Sequence, residues 1–216
     1  MTAVCDTAFA VTGIAPEPYA LTPALSARVA VTAAPGESVH AIALRAQVRI
    51  EPHRRGYSDA EGAGLVDLFG ARERWHETQR SFLWMHCAAM IPGFRDRTEV
   101  ELPLPCTYDF EVAGSKYLHA LREGTVPLLF LFSGTVFVKG GNGFTIRNVP
   151  WNCDVAHDMP ISTWQQLMAQ HFPDTGWLRL TRGSLDALSA FKARRGLLGY
   201  DEAVAELLSA GSGEAP

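Results

Sequence analysis

The sequence predicts an α+β protein: an antiparallel β-sheet or sandwich with inserted helices and a C-terminal helical segment, in one domain spanning residues 1–216. Three observations predict it. Val39 to Ile50 alternates strictly, with Ile42, Leu44, Ala46, Val48 and Ile50 on one face and Ala43, Arg45, Gln47 and Arg49 on the other, and period two over that length is a half-buried strand. Val126 to Val138 is dense in Val, Leu and Phe, which suits a strand buried on both faces at the centre of the sheet. From Pro160 the spacing turns helical, with Ile161, Trp164, Met168 and His171 on one stripe before Pro173. The β-rich part is therefore 6–150 and the helical part 160–209, and the small polar tail 210–216 is expected to be disordered.

The remaining elements follow in chain order. Ala8 to Gly13 and Leu25 to Thr32 are shorter strand candidates, and Pro35-Gly36 punctuates the gap before Val39 as a turn, because Pro presets φ and Gly tolerates positive φ. Three consecutive antiparallel strands are the economical reading. Pro52 ends the long strand, and Ser58-Asp59-Ala60-Glu61 matches a capping box that starts a short helix carrying Leu65, Leu68 and Phe69. Ser81 to Pro92 and Thr98 to Leu104 return to β character around the turn-like Pro92 to Asp96, as a hairpin. Thr107 to Arg122 places Phe110, Gly114, Tyr117, Leu118 and Leu121 on one helical stripe, with Thr107 as N-cap and Gly124 as stop. Gly140 to Gly143 turns the central strand into Phe144 to Val149. Pro160 suits a first helical position, Ser184 to Arg195 is a helix closed by Gly196, and Asp201 to Leu208 is another.

Composition narrows the function classes. Nineteen Lys and Arg against 23 Asp and Glu give a formal net charge of −4, against a dedicated nucleic-acid binder. Hydrophobic residues at 47% and charged residues at 19% are ordinary globular usage. The most apolar charge-free run, Thr125 to Val138, is broken by Pro127 and Gly134 and is shorter than the roughly 20 residues of a spanning helix. The first basic residue is Arg28, so a signal peptide's charged start is missing. Cys5, Cys87, Cys106 and Cys153 lie far apart with no CxxC pair, which reads as reduced thiols in a cytoplasmic protein.

Enzyme signatures are absent: the chain contains no GxSxG, GxxxxGK[ST], HExxH or GxGxxG. No catalytic residue and no cofactor is expected. Met85-His86-Cys87 with Cys106, Cys153 and His157 offers soft metal donors. However, neighbours on a strand point to opposite faces and Cys is a common core residue, so no ligand is assigned. His53, Arg54, Arg55 and Tyr57 form the most distinctive polar segment. Two guanidiniums beside an imidazole could clamp a carboxylate or phosphate, with Asp109 as an acid or base; the alternative is a loop whose arginines pair with Asp59 and Glu61. Arg194 and Arg195 belong to a second cluster with Arg179, Arg182 and Lys192, suited either to an acidic partner or to the C-terminal end of its own helix. Trp151 and Trp177 sit beside turns, as interface anchors or as packing residues.

Several segments carry a resemblance: EPHRRGYS (Glu51 to Ser58), LPCTYDFEVAGSKYLHAL (Leu104 to Leu121), VPLLFLFSGTVF (Val126 to Phe137), VPW (Val149 to Trp151) and KARRG (Lys192 to Gly196). They resemble a bacterial family of unknown function found with uptake nickel-iron hydrogenases of actinobacteria, and the resemblance runs through nearly the whole chain. It implies a role in making or supporting such an enzyme, with a hydrogenase subunit as the candidate partner. Residues 6–137, with an opening strand, Pro23-Ala24-Leu25 and a VPLLFL segment, are more loosely similar to the SecB export chaperone, which implies a SecB-like or immunoglobulin-like sheet. The inserted helix after Ser58 and the Val126 to Val138 strand depart from that pattern. The expectation is a non-enzymatic, chaperone-like protein binder without membrane insertion, with self-association left open. The alternatives are a small anionic-ligand binder or enzyme at His53, Arg54 and Arg55, and a structural subunit of a larger complex docking through Trp151 or Trp177.

Overall fold

Alternating strands with one apolar face must bury that face against another layer, and the computed structural model shows how. It describes residues 7–107, 112–140, 143–150, 152–176 and 178–212. The chain divides into two compact units, Met1–Trp177 and Leu178–Pro216.

The first unit is built on two antiparallel sheets, as an α+β fold. One sheet has the order β1 (Ala8–Pro16), β2 (Ala24–Thr32), β5 (Arg97–Pro105). The other runs β4 (Phe82–Arg95), β3 (Ser38–Ile50), β6 (Thr125–Gly140), β7 (Gly143–Asn148), and β8 (Asp154–Pro160) also pairs with β6. Leu25, Val29, Val31, Leu102 and Leu104 from the first sheet share one buried cluster with Ile42, Leu44, Val48, Phe130 and Val136 from the second. Phe9 of β1 stacks on Phe132 of β6 with ring centroids 4.8 Å apart. The long alternating strand and the central apolar strand are both where the sequence places them, but β6 is buried on one face only: Leu128, Phe130, Phe132 and Val136 enter the core, whereas Leu129, Leu131 and Phe137 are half-buried and Ser133 is exposed on the other face.

Three expectations about the strands change. The opening strands do not form one consecutive antiparallel set: β2 pairs with β1 and β5, while β3 joins the second sheet. The chain changes sheets at the Pro35-Gly36 turn, where Gly36 has φ +77°. Likewise β4 and β5 are not a hairpin. The corner at Asp96, with φ +59° and its carbonyl accepting from the Ala33 N–H at 2.8 Å, sends them into different sheets. Asp tolerates this left-handed conformation better than most residues. Pro92 and Gly93, read as a turn, lie inside β4, which is an edge strand and can lack a donor there.

Strand β6 serves two partners along one edge: residues 125–131 pair with β8 and residues 135–140 with β7. Gly134 sits at the handover with φ +141°, its carbonyl accepts from the Val149 N–H at 2.9 Å, and a Cβ there would run into the Ala43 carbonyl of β3. Only glycine fits that approach.

Helices α1 (Asp59–Gly64), α2 (Val66–Phe69) and α3 (Trp75–Thr78) fill the insertion between β3 and β4. The predicted helix over 107–122 is shorter: α4 is Ala113–Ala120, with Val112 rather than Thr107 as its N-cap and Leu121 as its C-cap. Phe110 and Asp109 lie outside the described residues. Helix α5 (Ile161–His171) follows β8 directly, with Pro160 one position earlier than expected, as the N-cap. Tyr117, Leu118, Trp164 and Leu167 carry α4 and α5 into the inner cluster.

The second unit is a helical hairpin of α6 (Arg182–Arg195) and α7 (Tyr200–Ser212). Thr181 caps α6, accepting from the Ser184 N–H at 3.2 Å, and Gly196 ends it in the left-handed conformation. Residues 210–212 of the expected disordered tail are helical; 213–216 lie outside the described residues. Among the described residues no helix is long and apolar enough to cross a membrane.

Replacing Gly134 by Val is expected to destabilise the protein by about 3 kcal/mol or more, since both the backbone conformation and the β3 contact are lost. Chemical denaturation measures it, and a loss under about 1 kcal/mol would contradict the close approach described.

Candidate functional site

The polar segment singled out in the sequence becomes a clamp. Pro52 begins a 3-10 turn, Pro52–Arg54, and the chain reaches α1 with the capping box formed: the Glu61 N–H donates to Ser58 Oγ and the Ser58 N–H to Glu61 Oε2. Glu61 is buried, and so is most of the Arg55 side chain. Arg55 Nη2 bonds both Glu61 oxygens at 3.0 and 3.1 Å and the Glu123 carbonyl at 3.1 Å. Its Nη1 reaches the Thr125 carbonyl at 3.0 Å and Nε the Gly56 carbonyl at 3.1 Å. The Arg122 N–H closes the set on Glu61 Oε1 at 2.8 Å. Every nitrogen of the Arg55 guanidinium is thus used inside the protein.

Tyr57 completes the clamp. Its hydroxyl lies 2.8 Å from both the Pro52 carbonyl and the Tyr117 hydroxyl, and its ring lies under the Arg55 guanidinium at 5.0 Å. Burial pushes the Tyr57 phenol up to about 12 and the Tyr117 phenol still higher. For Glu61, burial pulls the carboxyl upward, but the Arg122 and Ser58 amides and the Arg55 charge outweigh it and hold the group below its ordinary value.

The other sequence candidates are dispersed. His53 is exposed; Arg54 pairs with Glu51 at 2.9 Å and reaches Asp158 at 3.7 Å. Arg194 and Arg195 lie in the last turn of α6, where Arg195 pairs with Glu206. Trp151, Trp177 and Asp109 lie outside the described residues. Burial raises the Cys87 thiol to about 11 and the Cys106 thiol to about 12, so neither is poised as a thiolate. Among the described residues no His, Cys, Asp and Glu cluster could hold a metal.

The outer face of the five-stranded sheet carries a further set of polar side chains. Register aligns Gln47 with His86 and Leu131, Arg45 with Ala88 and Ser133, and Ala43 with Met90 and Thr135. Because the opposite faces of these strands enter the core, these side chains point outward. The small Ala43, Ala88 and Ser133 leave Arg45 standing between two shallow depressions of about 530 and 270 Å³. Arg45 is exposed, and among the described residues no acid pairs with it. Met90, Phe144, Ile146 and Leu83 add exposed apolar surface, and the Phe144 ring lies 4.4 Å from that of His40. The signal was present in the alternation of β3, whose outward set Ala43, Arg45, Gln47 and Arg49 is mostly donors and a small residue. It gives no sign that Arg45, Gln47, His86, Ala88 and Ser133 are exposed together on this side.

An α+β protein with a clamped inner helical layer and an open, partly apolar sheet face is the class these features define. The chain belongs to a family of unknown function, DUF6084, whose model matches residues 4–216. No curated protein and no solved structure matches the chain.

Replacing Glu61 by Gln leaves the buried Arg55 charge uncompensated and is expected to cost about 3 kcal/mol at neutral pH. The Glu61 carboxyl is depressed in the folded state, so its contribution is complete above the ordinary value of 4.5 and lost as pH falls through the lower folded value. Denaturant unfolding from neutral to acid pH should therefore show a shallower pH dependence in Glu61→Gln than in the parent. Equal stability and equal slope would remove the clamp from the account.

Proposed function

We propose that the protein is a non-enzymatic, chaperone-like accessory factor that binds another protein on the outer face of its five-stranded sheet and supports maturation or assembly of a nickel-iron hydrogenase in the cytoplasm. The observation that carries the binding role is Arg45, without an acidic partner among the described residues, between two depressions of which one is lined by the exposed Met90; Phe144 and Ile146 on β7 are exposed farther along the same sheet. Exposed apolar side chains beside a few donors are the make-up of a docking face. The partner that fits presents a carboxylate for Arg45, flanked by apolar side chains for the depressions, since a guanidinium binds a carboxylate in a two-point fork.

The hydrogenase assignment rests on the resemblance of Glu51 to Ser58, Leu104 to Leu121 and Val126 to Phe137 to the hydrogenase-associated actinobacterial family. The chaperone-like part of the reading rests on the looser resemblance of residues 6–137 to the SecB export chaperone. The rival reading, an anionic substrate held by His53, Arg54 and Arg55, draws little support from the geometry. Arg55 is consumed by Glu61 and three carbonyls, and Arg54 by Glu51.

Tagged protein isolated from its own cells should retain hydrogenase subunits. Arg45→Glu and Met90→Glu should each lose at least about tenfold of that binding, the scale of one buried anchor, while stability stays within about 0.5 kcal/mol of the parent. Undiminished binding by both variants would move the contact off this face. Unchanged hydrogen uptake and subunit levels in a deletion strain would sink the hydrogenase role.

A further inference from the structure

The helical hairpin of the second unit has almost no interior. Of its described residues only Ala203 is buried. Leu180, Ala187, Leu188, Phe191, Val204 and Leu207 line an open apolar groove of about 390 Å³ along α6 and α7. A folded unit below about 40 residues usually relies on disulfides, a metal or association to complete its core. Leu178–Pro216 contains neither Cys nor His, which leaves association.

The charges indicate with what. Helix α6 carries Arg182, Lys192, Arg194 and Arg195 against Asp186, a net of +3; α7 carries Asp201, Glu202 and Glu206 and no base, a net of −3. A two-fold interface must be self-complementary, because each patch meets its own copy. A basic helix beside an acidic one satisfies that requirement when α6 of one copy lies on α7 of the other. Arg195 with Glu206, and Lys192 over the Tyr200 ring at 5.4 Å, already hold the two helices of one copy side by side. Arg194 and Asp201 remain exposed, without an ion pair among the described residues.

We propose that the protein is a homodimer through this hairpin, two copies of α6 and α7 closing into a four-helix bundle whose core is the apolar groove. This assignment is independent of the sheet face, which lies in the other unit.

Sedimentation equilibrium of the full-length chain at micromolar concentrations tests it. The parent should have twice the mass of one chain, and Leu188→Glu and Leu207→Glu should be monomeric. Charge variants that leave the apolar residues intact guard against simple misfolding: Arg194→Glu and Asp201→Arg should each weaken the dimer roughly threefold or more at low salt, and an equimolar mixture of the two should recover the parent affinity. A monomeric parent, a dimer indifferent to both leucine variants, or charge variants without effect alone or mixed would overturn the proposal.

Discussion

The ion pair between Arg55 and Glu61 is the contact on which the helical layer depends. It ties four stretches together: the exit of β3, the first turn of α1, the turn at Arg122 to Gly124, and the start of β6 at Thr125. Two charges taken out of water are costly unless their remaining hydrogen bonds are met. Here the Ser58 and Arg122 amides and three carbonyls supply those bonds. With the clamp closed, Tyr57 sits against Tyr117 and Trp75, Phe82 against Tyr117, and α4 is fixed beside α1.

The clamp also determines what the opposite side of the sheet is free to do. Because α4 and α5 send Tyr117, Leu118, Trp164 and Leu167 into the inner cluster, the five-stranded sheet is stabilised from within. Its outer face exposes Arg45, Gln47, His86 and Ser133 among small neighbours. Gly134 contributes from inside the sheet by letting β6 approach β3 while it exchanges β8 for β7. The sheet is thereby widened without a break.

Much of this was legible in the sequence where the signal is local. The capping box needs only Ser58 and Glu61 at the right spacing, and both halves form. The alternation of Val39 to Ile50 and the density of Val126 to Val138 fixed the two middle strands. Pairing was not legible, because alternation identifies a strand but not its neighbour; the corner at Asp96 looks like a hairpin turn from sequence alone. Strand β8 went unread because His157, Asp154 and Asp158 dilute its apolar positions, and its partner lies about 30 residues back, in β6. In the polar segment, the sequence offers Glu61 as a partner for the arginines. Its burial, which turns a surface pair into a clamp, comes from the turn at Arg122 to Gly124, more than 60 residues away.

The most direct test of the account is site-specific photo-crosslinking in the native cells. A photoreactive residue at Ala88, beside Arg45 on the outer face, should give a discrete crosslink to a hydrogenase subunit. The same residue at Thr12 of β1, on the other sheet, should give none. Crosslinks that appear equally at both positions, or only at Thr12, would contradict the claim that the open sheet face is the binding surface.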